Sequence, residues 1–154
     1  PIQRLGVLFL GVAEDAAHLQ ARLKLANADA GRLETMCGAL RLSQAPAAPA
    51  ARVLLYRLGK DAYTDALLFA WARSEAPLDD AAWREAWSLP HRWQAPTFPL
   101  GGKDAMAAGI AQGPEMGAAL RAAEEAWVAT DFALSPQDLR ALLVSRAAVP
   151  PGSG

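Results

Sequence analysis

Alanine most constrains the fold of this sequence. It supplies 36 of the 154 residues, whereas the β-branched residues that favour strands are scarce and no stretch alternates convincingly with period two. Because alanine is the best helix former, this composition predicts an all-α fold. We expect a multi-helix orthogonal bundle with a glycine-bounded helix-turn-helix hairpin near the C-terminus.

Composition and charge exclude several broad classes of protein. Hydrophobic residues make up 53% and charged residues 20%, which is typical of a globular chain. The longest apolar run, residues 5–13, is shorter than the roughly 20 residues that span a bilayer, so no membrane partner is expected. A lone cysteine, Cys37, and no targeting signal predict a cytoplasmic location. Because the chain begins with Pro1 instead of Met, we expect a piece of a longer protein.

Proline and glycine divide the chain into segments. We predict a helical body lobe over residues 1–89, a proline-rich connector over 90–102, a helical tail over 103–149 and a frayed end over 150–154. A further break is expected over residues 44–50, because proline removes a backbone donor and disfavours helix in the residue before it.

Helix starts are predicted where a polar side chain precedes an apolar stripe. Asn27 is a candidate N-cap, as is Asp79 or Asp80 ahead of the next tryptophan-bearing helix. Ser135, followed by Pro136 and by Asp138 at the third helical position, predicts a capped start for the last helix.

The chemistry of catalytic and metal sites is largely missing. The sequence contains no phosphate-binding P-loop, no dinucleotide-binding glycine loop and no zinc motif. With Cys37, His18 and His91 as the whole Cys and His inventory, no metal, cofactor or catalytic residue is predicted for this chain. Cys37 is interpreted as a buried small hydrophobe. His91, beside Arg92, could contact a phosphate or pack within its loop, and both interpretations stay open.

Residues 99–117 form a glycine-rich block that predicts a helix, a turn and a second helix. Gly109 suits a left-handed helix end, Gly113 allows close backbone approach, and Pro114 fits a first helical position. Gly117 is expected to let another backbone pack against the second helix. The amides at that helix start could hold a phosphate, although Glu115 would repel it. The pattern alone favours a turn that binds nothing, because glycine-bounded turns join helices in many proteins without a ligand.

Several short blocks occur in a fixed order along the chain: residues 22–28 (RLKLANA), 55–59 (LYRLG) with 70–72 (AWA), 102–104 (GKD), 109–110 (GI), 113–117 (GPEMG) and 127–132 (WVATDF). Together they resemble the C-terminal region of bacterial tRNA nucleotidyltransferases, the CCA-adding and poly(A) polymerase family. The departures from the family pattern are Ala26, Ala105 and Val128.

The resemblance implies a division of labour within a longer parent enzyme. In that family an N-terminal catalytic head, absent from this chain, uses magnesium and CTP or ATP to extend the tRNA 3′ end. The resembling region would hold the tRNA at its acceptor–TΨC elbow, by shape and phosphate contacts. Its expected partners are therefore tRNA and the parent's own head. The parent would be a nucleotidyltransferase, the chain alone would not catalyse, and the choice between CCA and poly(A) addition would lie outside it.

Positive charge is concentrated in the first part of the chain. Residues 1–60 hold eight Lys or Arg against four Asp or Glu, a net charge of +4, and the remainder carries −5. A polyanion should prefer the first part, although each cation could instead be a solvated surface charge. The predicted RNA-binding residues are Arg22, Lys24, Arg52, Arg57, Lys60, Gly102, Lys103, Gly109, Gly113, Gly117 and Arg121.

Two other functions are compatible with the same sequence. A helical scaffold would use the glycine-proline hairpin and the tryptophans to pack against a protein domain, without contacting nucleic acid. A hairpin-type binder of duplex DNA would bind DNA and tRNA equally well. A salt-sensitive preference for tRNA would separate the leading interpretation from both.

Overall fold

The computed structural model describes residues 2–12 and 14–148, and within these ranges all regular structure is helical. The all-α prediction is confirmed. The frayed end predicted over 150–154 lies outside the described residues. The α-helices are α1 (Ile2–Phe9), α2 (Asp15–Leu23), α3 (Asn27–Gly38), α4 (Ala48–Leu58), α5 (Lys60–Arg73), α6 (Ala81–Arg92), α7 (Gly102–Ala107), α8 (Pro114–Ala129) and α9 (Pro136–Ala147), with a 3₁₀ turn at Ala39–Arg41.

The chain divides into two compact units, Pro1–Ala95 and Pro96–Gly154. The division falls inside the stretch that the sequence assigns to a connector, residues 90–102. Nothing in the described helices is both long enough and apolar enough to cross a membrane.

Helix α5 is the centre of the first unit. It packs against α1, α3, α4 and α6, and its Tyr63, Leu67 and Phe69 are at most 1% exposed. Trp83 of α6 is buried and stacks on Trp71 of α5 with the ring centroids 6.0 Å apart. The first unit is therefore held by apolar burial around one helix that is covered on several sides.

The predicted helix caps are confirmed in two cases and wrong in one. The Asp80 carboxylate accepts the backbone N–H of Trp83 at 3.0 Å, and the hydroxyl of Ser135 accepts that of Asp138 at 3.2 Å. Asn27, however, is the first residue of α3 and Ala26 is the N-cap, with no side-chain cap hydrogen bond. The apolar face of α3 sets this register, which places Leu33 in the core.

Two prolines expected to break helices lie within helices. Pro49 occupies the first turn of α4, where its missing N–H would have no intrahelical acceptor. Pro90 lies inside α6, which continues to Arg92 instead of ending before the predicted connector. Because Pro90 cannot donate to the carbonyl of Ala86, that oxygen needs another donor. The buried hydroxyl of Tyr63 donates a hydrogen bond to that oxygen at 2.8 Å. This donor comes from α5, so it is available only because α5 packs against α6.

A charged cluster joins three helices of the first unit. Asp65 of α5 is only 3% exposed. Its carboxylate accepts hydrogen bonds from Nε of Arg32 at 2.5 Å and from Nη2 of Arg32 at 3.0 Å. Nε2 of Gln3 in α1 donates to the same carboxylate at 2.6 Å. Burial opposes ionisation of Asp65, but the hydrogen bonds from Arg32 and Gln3 outweigh it and lower its pKa.

The second unit contains α7, α8 and α9. Trp127 of α8 is buried and packs edge-on against Phe132, with the ring centroids 5.0 Å apart. The Phe98 ring is tilted against it, with the centroids 5.5 Å apart. Leu139 and Leu143 of α9 are also buried, and Nε of Arg140 donates to Asp104 of α7 at 2.9 Å. This packing fixes α7 and α8 around the glycine-rich turn that separates them.

Candidate nucleic-acid interface

The turn between α7 and α8 begins with a glycine helix end. Gly109 has φ +87°, and its amide donates to Met106 at 2.9 Å while the amide of Ile110 donates to Ala105 at 3.0 Å. This pair of bonds is the Schellman arrangement, which requires a left-handed residue and satisfies the last carbonyls of a helix. Ile110 is buried, so it anchors the turn to the second unit.

Gly113 opens α8. It has φ +153° and serves as N-cap without a side-chain hydrogen bond, and Pro114 follows in the first turn. Gly109 and Gly113 are both exposed, and a Cβ at either would meet no atom within 4 Å. The turn from Gly109 to Gly113, called the glycine corner below, therefore presents backbone at the surface.

Substituting Gly109 by alanine tests the left-handed helix end. We expect the variant to lose about 1 kcal/mol of stability, because an L side chain is strained at φ +87° although the space is open. Amide hydrogen exchange at Ile110 would measure it. The matched control, Gly31→Ala in the open interior of α3, should instead gain up to about 1 kcal/mol. Equal protection of Ile110 in wild type and Gly109→Ala would contradict the argument.

One cation precedes the glycine corner along the chain and another follows it. Lys103 lies in α7 and Arg121 in α8, and both are exposed. Gly102 is half-buried, with a Cβ position 3.5 Å from Sδ of Met116. At Gly117, a Cβ would lie 3.3 Å from Nη1 of Arg121, and among the described residues no other chain segment approaches it within 4 Å. The expectation that another backbone packs there is therefore wrong, and the space belongs to the Arg121 guanidinium.

Asp104, part of the block that resembles the tRNA nucleotidyltransferases, has a structural role. One carboxylate oxygen accepts Nε of Arg140 at 2.9 Å and the other accepts the amide of Gly101 at 3.0 Å. The bond from Arg140, followed by that from Gly101, lowers the pKa of Asp104. The carboxylate thus caps α7 and ties it to α9.

The predicted cations of the first unit lie in two places. Arg22 is exposed on α2, and Lys24 follows as its left-handed C-cap with φ 50°. Arg57 of α4 and Lys60 of α5 are exposed on either side of Gly59, and Arg52 is half-buried earlier in α4. Helix α2 packs against α3, whereas α4 packs against α5 and α6.

A cleft in the first unit is lined by two segments that the sequence analysis did not predict to form one site, residues 55–60 and 90–95. It has a volume of ≈ 570 Å³ and lies where the α4–α5 junction meets the end of α6. Of the predicted RNA-binding residues, only Lys60 is among its walls. The lining residues are Leu55, Tyr56, Gly59, Lys60, Pro90, His91, Arg92, Trp93, Gln94 and Ala95. In the sequence, the run His91-Arg92-Trp93 combines aromatic and basic side chains and could have indicated this site. Pro90 instead predicted the start of a connector, so the end of α6 that positions these residues was not expected.

The other candidates for chemistry have structural surroundings. Cys37 is buried, its pKa is raised by that burial, and its thiol lies 3.7 Å from the carbonyl oxygen of Val12. His18 is exposed on α2. Among residues 2–12 and 14–148, no three Cys, His, Asp or Glu side chains cluster as metal ligands.

No protein-family model matches this sequence. The chain is 42% identical over 83 residues to a Rhodospirillum rubrum protein described as an uncharacterized 28 kDa protein in the petA 5′ region. This match covers 50% of the chain and 32% of that relative, so the chain spans well under two thirds of the relative's length.

Proposed function

We propose that this chain is a non-catalytic tRNA-binding region of a CCA-adding or poly(A)-adding nucleotidyltransferase. In this proposal it holds the acceptor–TΨC elbow while an N-terminal head adds nucleotides with magnesium and CTP or ATP. The ordered blocks that resemble this family motivate the assignment. The observation that carries it is the exposed glycine corner, preceded in α7 by the exposed Lys103 and followed in α8 by the exposed Arg121.

The chemistry of the corner suits a sugar–phosphate backbone. Exposed glycines let a phosphate ridge approach main-chain amides, and the two flanking cations add attraction that does not depend on base sequence. The N–H groups in the first turn of α8 have no side-chain cap, although Glu115 in the same turn opposes an anion. The cations of the first unit would add further phosphate contacts.

Binding should depend strongly on salt. With about four phosphate contacts, the logarithm of the association constant should fall with the logarithm of salt at a slope near −3. A fluorescence-anisotropy titration of labelled tRNA between 50 and 200 mM salt would measure that slope, with duplex DNA of equal length as competitor. Absence of salt-sensitive binding by folded, micromolar protein, or equal affinity for DNA, would refute the proposal.

A charge-reversal pair tests the corner itself. We expect Lys103→Glu with Arg121→Glu to weaken tRNA binding about tenfold or more, because it places two negative charges beside the phosphates. The matched control, Arg4→Glu with Arg146→Glu, makes the same change in net charge at exposed positions on α1 and α9. Equal losses in both double variants would point to net charge instead of the corner.

A scaffold without nucleic-acid binding is the second candidate. The observation that favours it is the composition of the unit Pro96–Gly154, which holds four Lys or Arg against six Asp or Glu. Such a unit repels polyanions except where cations are concentrated locally. Under this alternative, both charge-reversal pairs leave tRNA binding at the same negligible level.

The division of labour has its own test. Incubating the chain with tRNA, CTP, ATP and magnesium should give no extension of the tRNA 3′ end, because the proposed catalytic head lies outside it. Gel analysis of radiolabelled tRNA would detect a single added nucleotide. Extension by the purified chain would overturn the assignment of catalysis to a separate head.

A further inference from the structure

The cleft in the first unit has the size and the walls of a small-ligand site. Its volume of ≈ 570 Å³ lies within the range of roughly 300–1,000 Å³ that such sites occupy. Helices α4, α5 and α6, which pack against one another, supply six of its ten lining residues, and Gly59 with residues 93–95 supply the other four. Tyr56 and Trp93 are half-buried in these walls.

The cleft is lined by aromatic rings and cationic or potentially cationic groups. Lys60, His91 and Arg92 are exposed at its surface, and no Asp or Glu is among its lining residues. Arg92 donates through Nη2 to the Glu85 carboxylate at 3.1 Å, which offsets part of its charge. The nearest acidic neighbour in sequence on the other wall is Asp61, which follows Lys60 in α5.

We propose that this cleft binds a nucleoside monophosphate, either free or as an unpaired nucleotide of an RNA strand. The base would stack on Trp93 and Tyr56, because aromatic rings accept the π-face of any base. The phosphate would lie against Lys60 and His91, because the Lys60 ammonium is positively charged and the His91 ring carries an N–H donor. A purely apolar ligand would leave these polar groups unused, and a bare phosphate would leave the aromatic walls unused.

This proposal goes beyond tRNA recognition by the glycine corner and does not depend on it. The cleft belongs to the unit Pro1–Ala95, whereas the corner belongs to the unit Pro96–Gly154. Free nucleotides test the cleft without any folded tRNA. Failure of one proposal can therefore be distinguished from failure of the other.

A titration followed by NMR would test nucleotide binding. The ¹⁵N-labelled chain is titrated to 10 mM with AMP, CMP, adenosine, inorganic phosphate and the trinucleotide ApApA. We expect saturable shifts of the Trp93 indole and the Gly59 and Lys60 amides, with Kd about 0.1–1 mM for the monophosphates. Adenosine and inorganic phosphate should bind at least tenfold more weakly. Tighter binding of ApApA than of AMP identifies an RNA strand as the source, and equal binding identifies a free nucleotide.

Substitutions in the cleft provide the control. Lys60→Gln should weaken AMP binding several-fold, whereas Arg4→Gln, which removes one positive charge at an exposed position of α1, should leave it unaltered. Trp93→Leu should weaken it further and Trp93→Phe should restore part of it. Because Trp93 also packs against the core, the leucine variant could fail to fold. In that case the effect of Lys60→Gln on AMP binding is the test of the cleft. Non-saturating shifts, shifts outside the cleft, or equal binding of inorganic phosphate and AMP would overturn the proposal.

Discussion

Replacing Arg32 by methionine is expected to lower the free energy of unfolding of the first unit by about 2–3 kcal/mol at pH 7. The carboxylate of Asp65 is 3% exposed and receives two hydrogen bonds from Arg32. Without that partner the charge stays buried, and among the described residues Gln3 is its remaining hydrogen-bond donor. The Arg32 side chain is itself 43% exposed, so water relieves part of the cost and the loss falls below that of a fully buried pair.

The loss should depend on pH in a defined direction. In the wild type the pKa of Asp65 is lowered, so its stabilising contribution is present above the unfolded pKa, near 3.9, and disappears as pH falls through the folded value. In the variant, burial dominates and should raise the pKa of Asp65, so acid protonates it and removes the unpaired charge. The difference between the two proteins should therefore shrink from pH 7 towards about pH 4.

Urea denaturation followed by tryptophan fluorescence measures this effect, because four of the five tryptophans lie in the first unit. Arg4→Met, the same substitution at an exposed site of α1, should change stability by no more than about 0.5 kcal/mol. Arg32→Met combined with Asp65→Leu should recover most of the lost stability, since no charge is left buried. A double variant as unstable as Arg32→Met alone would show that the ion pair is not the cause.

Tyr63→Phe is expected to cost about 1–3 kcal/mol, because it leaves the carbonyl of Ala86 without its donor inside the core. The usual donor would be the backbone N–H of residue 90, which proline lacks. The Tyr63 hydroxyl keeps its proton throughout neutral pH, since burial raises its pKa to about 12 despite the opposing charge of Arg92.

A double-mutant cycle isolates this compensation. In a Pro90→Ala background the alanine N–H can donate to Ala86, so Tyr63→Phe should cost about 1 kcal/mol less than in the wild type. The wild type should also lose stability as pH rises from about 10 towards 12, because the unfolded tyrosine ionises first, and the phenylalanine variants should lack that loss. If Tyr63→Phe costs the same in both backgrounds, the Tyr63 hydroxyl does not compensate for the N–H that Pro90 lacks.

Features that short stretches of chain encode were predictable from the amino-acid sequence. Alanine content predicted helices throughout, Asp79 or Asp80 and Ser135 were predicted as helix caps, and Gly109 was predicted as a left-handed helix end. Each depends on hydrogen bonds or backbone angles within a few neighbouring residues, so a local pattern is enough to recognise it.

Contacts between segments that are distant in sequence were not predictable from any local pattern. Pro90 is tolerated inside α6 because Tyr63, far away in sequence, supplies a donor, and Asp65 is buried because Arg32 and Gln3 reach it from two other helices. The cleft likewise combines the α4–α5 junction with the end of α6. Packing sets these distances, and no local pattern contains them, because the free energy of burial depends on which helix faces meet.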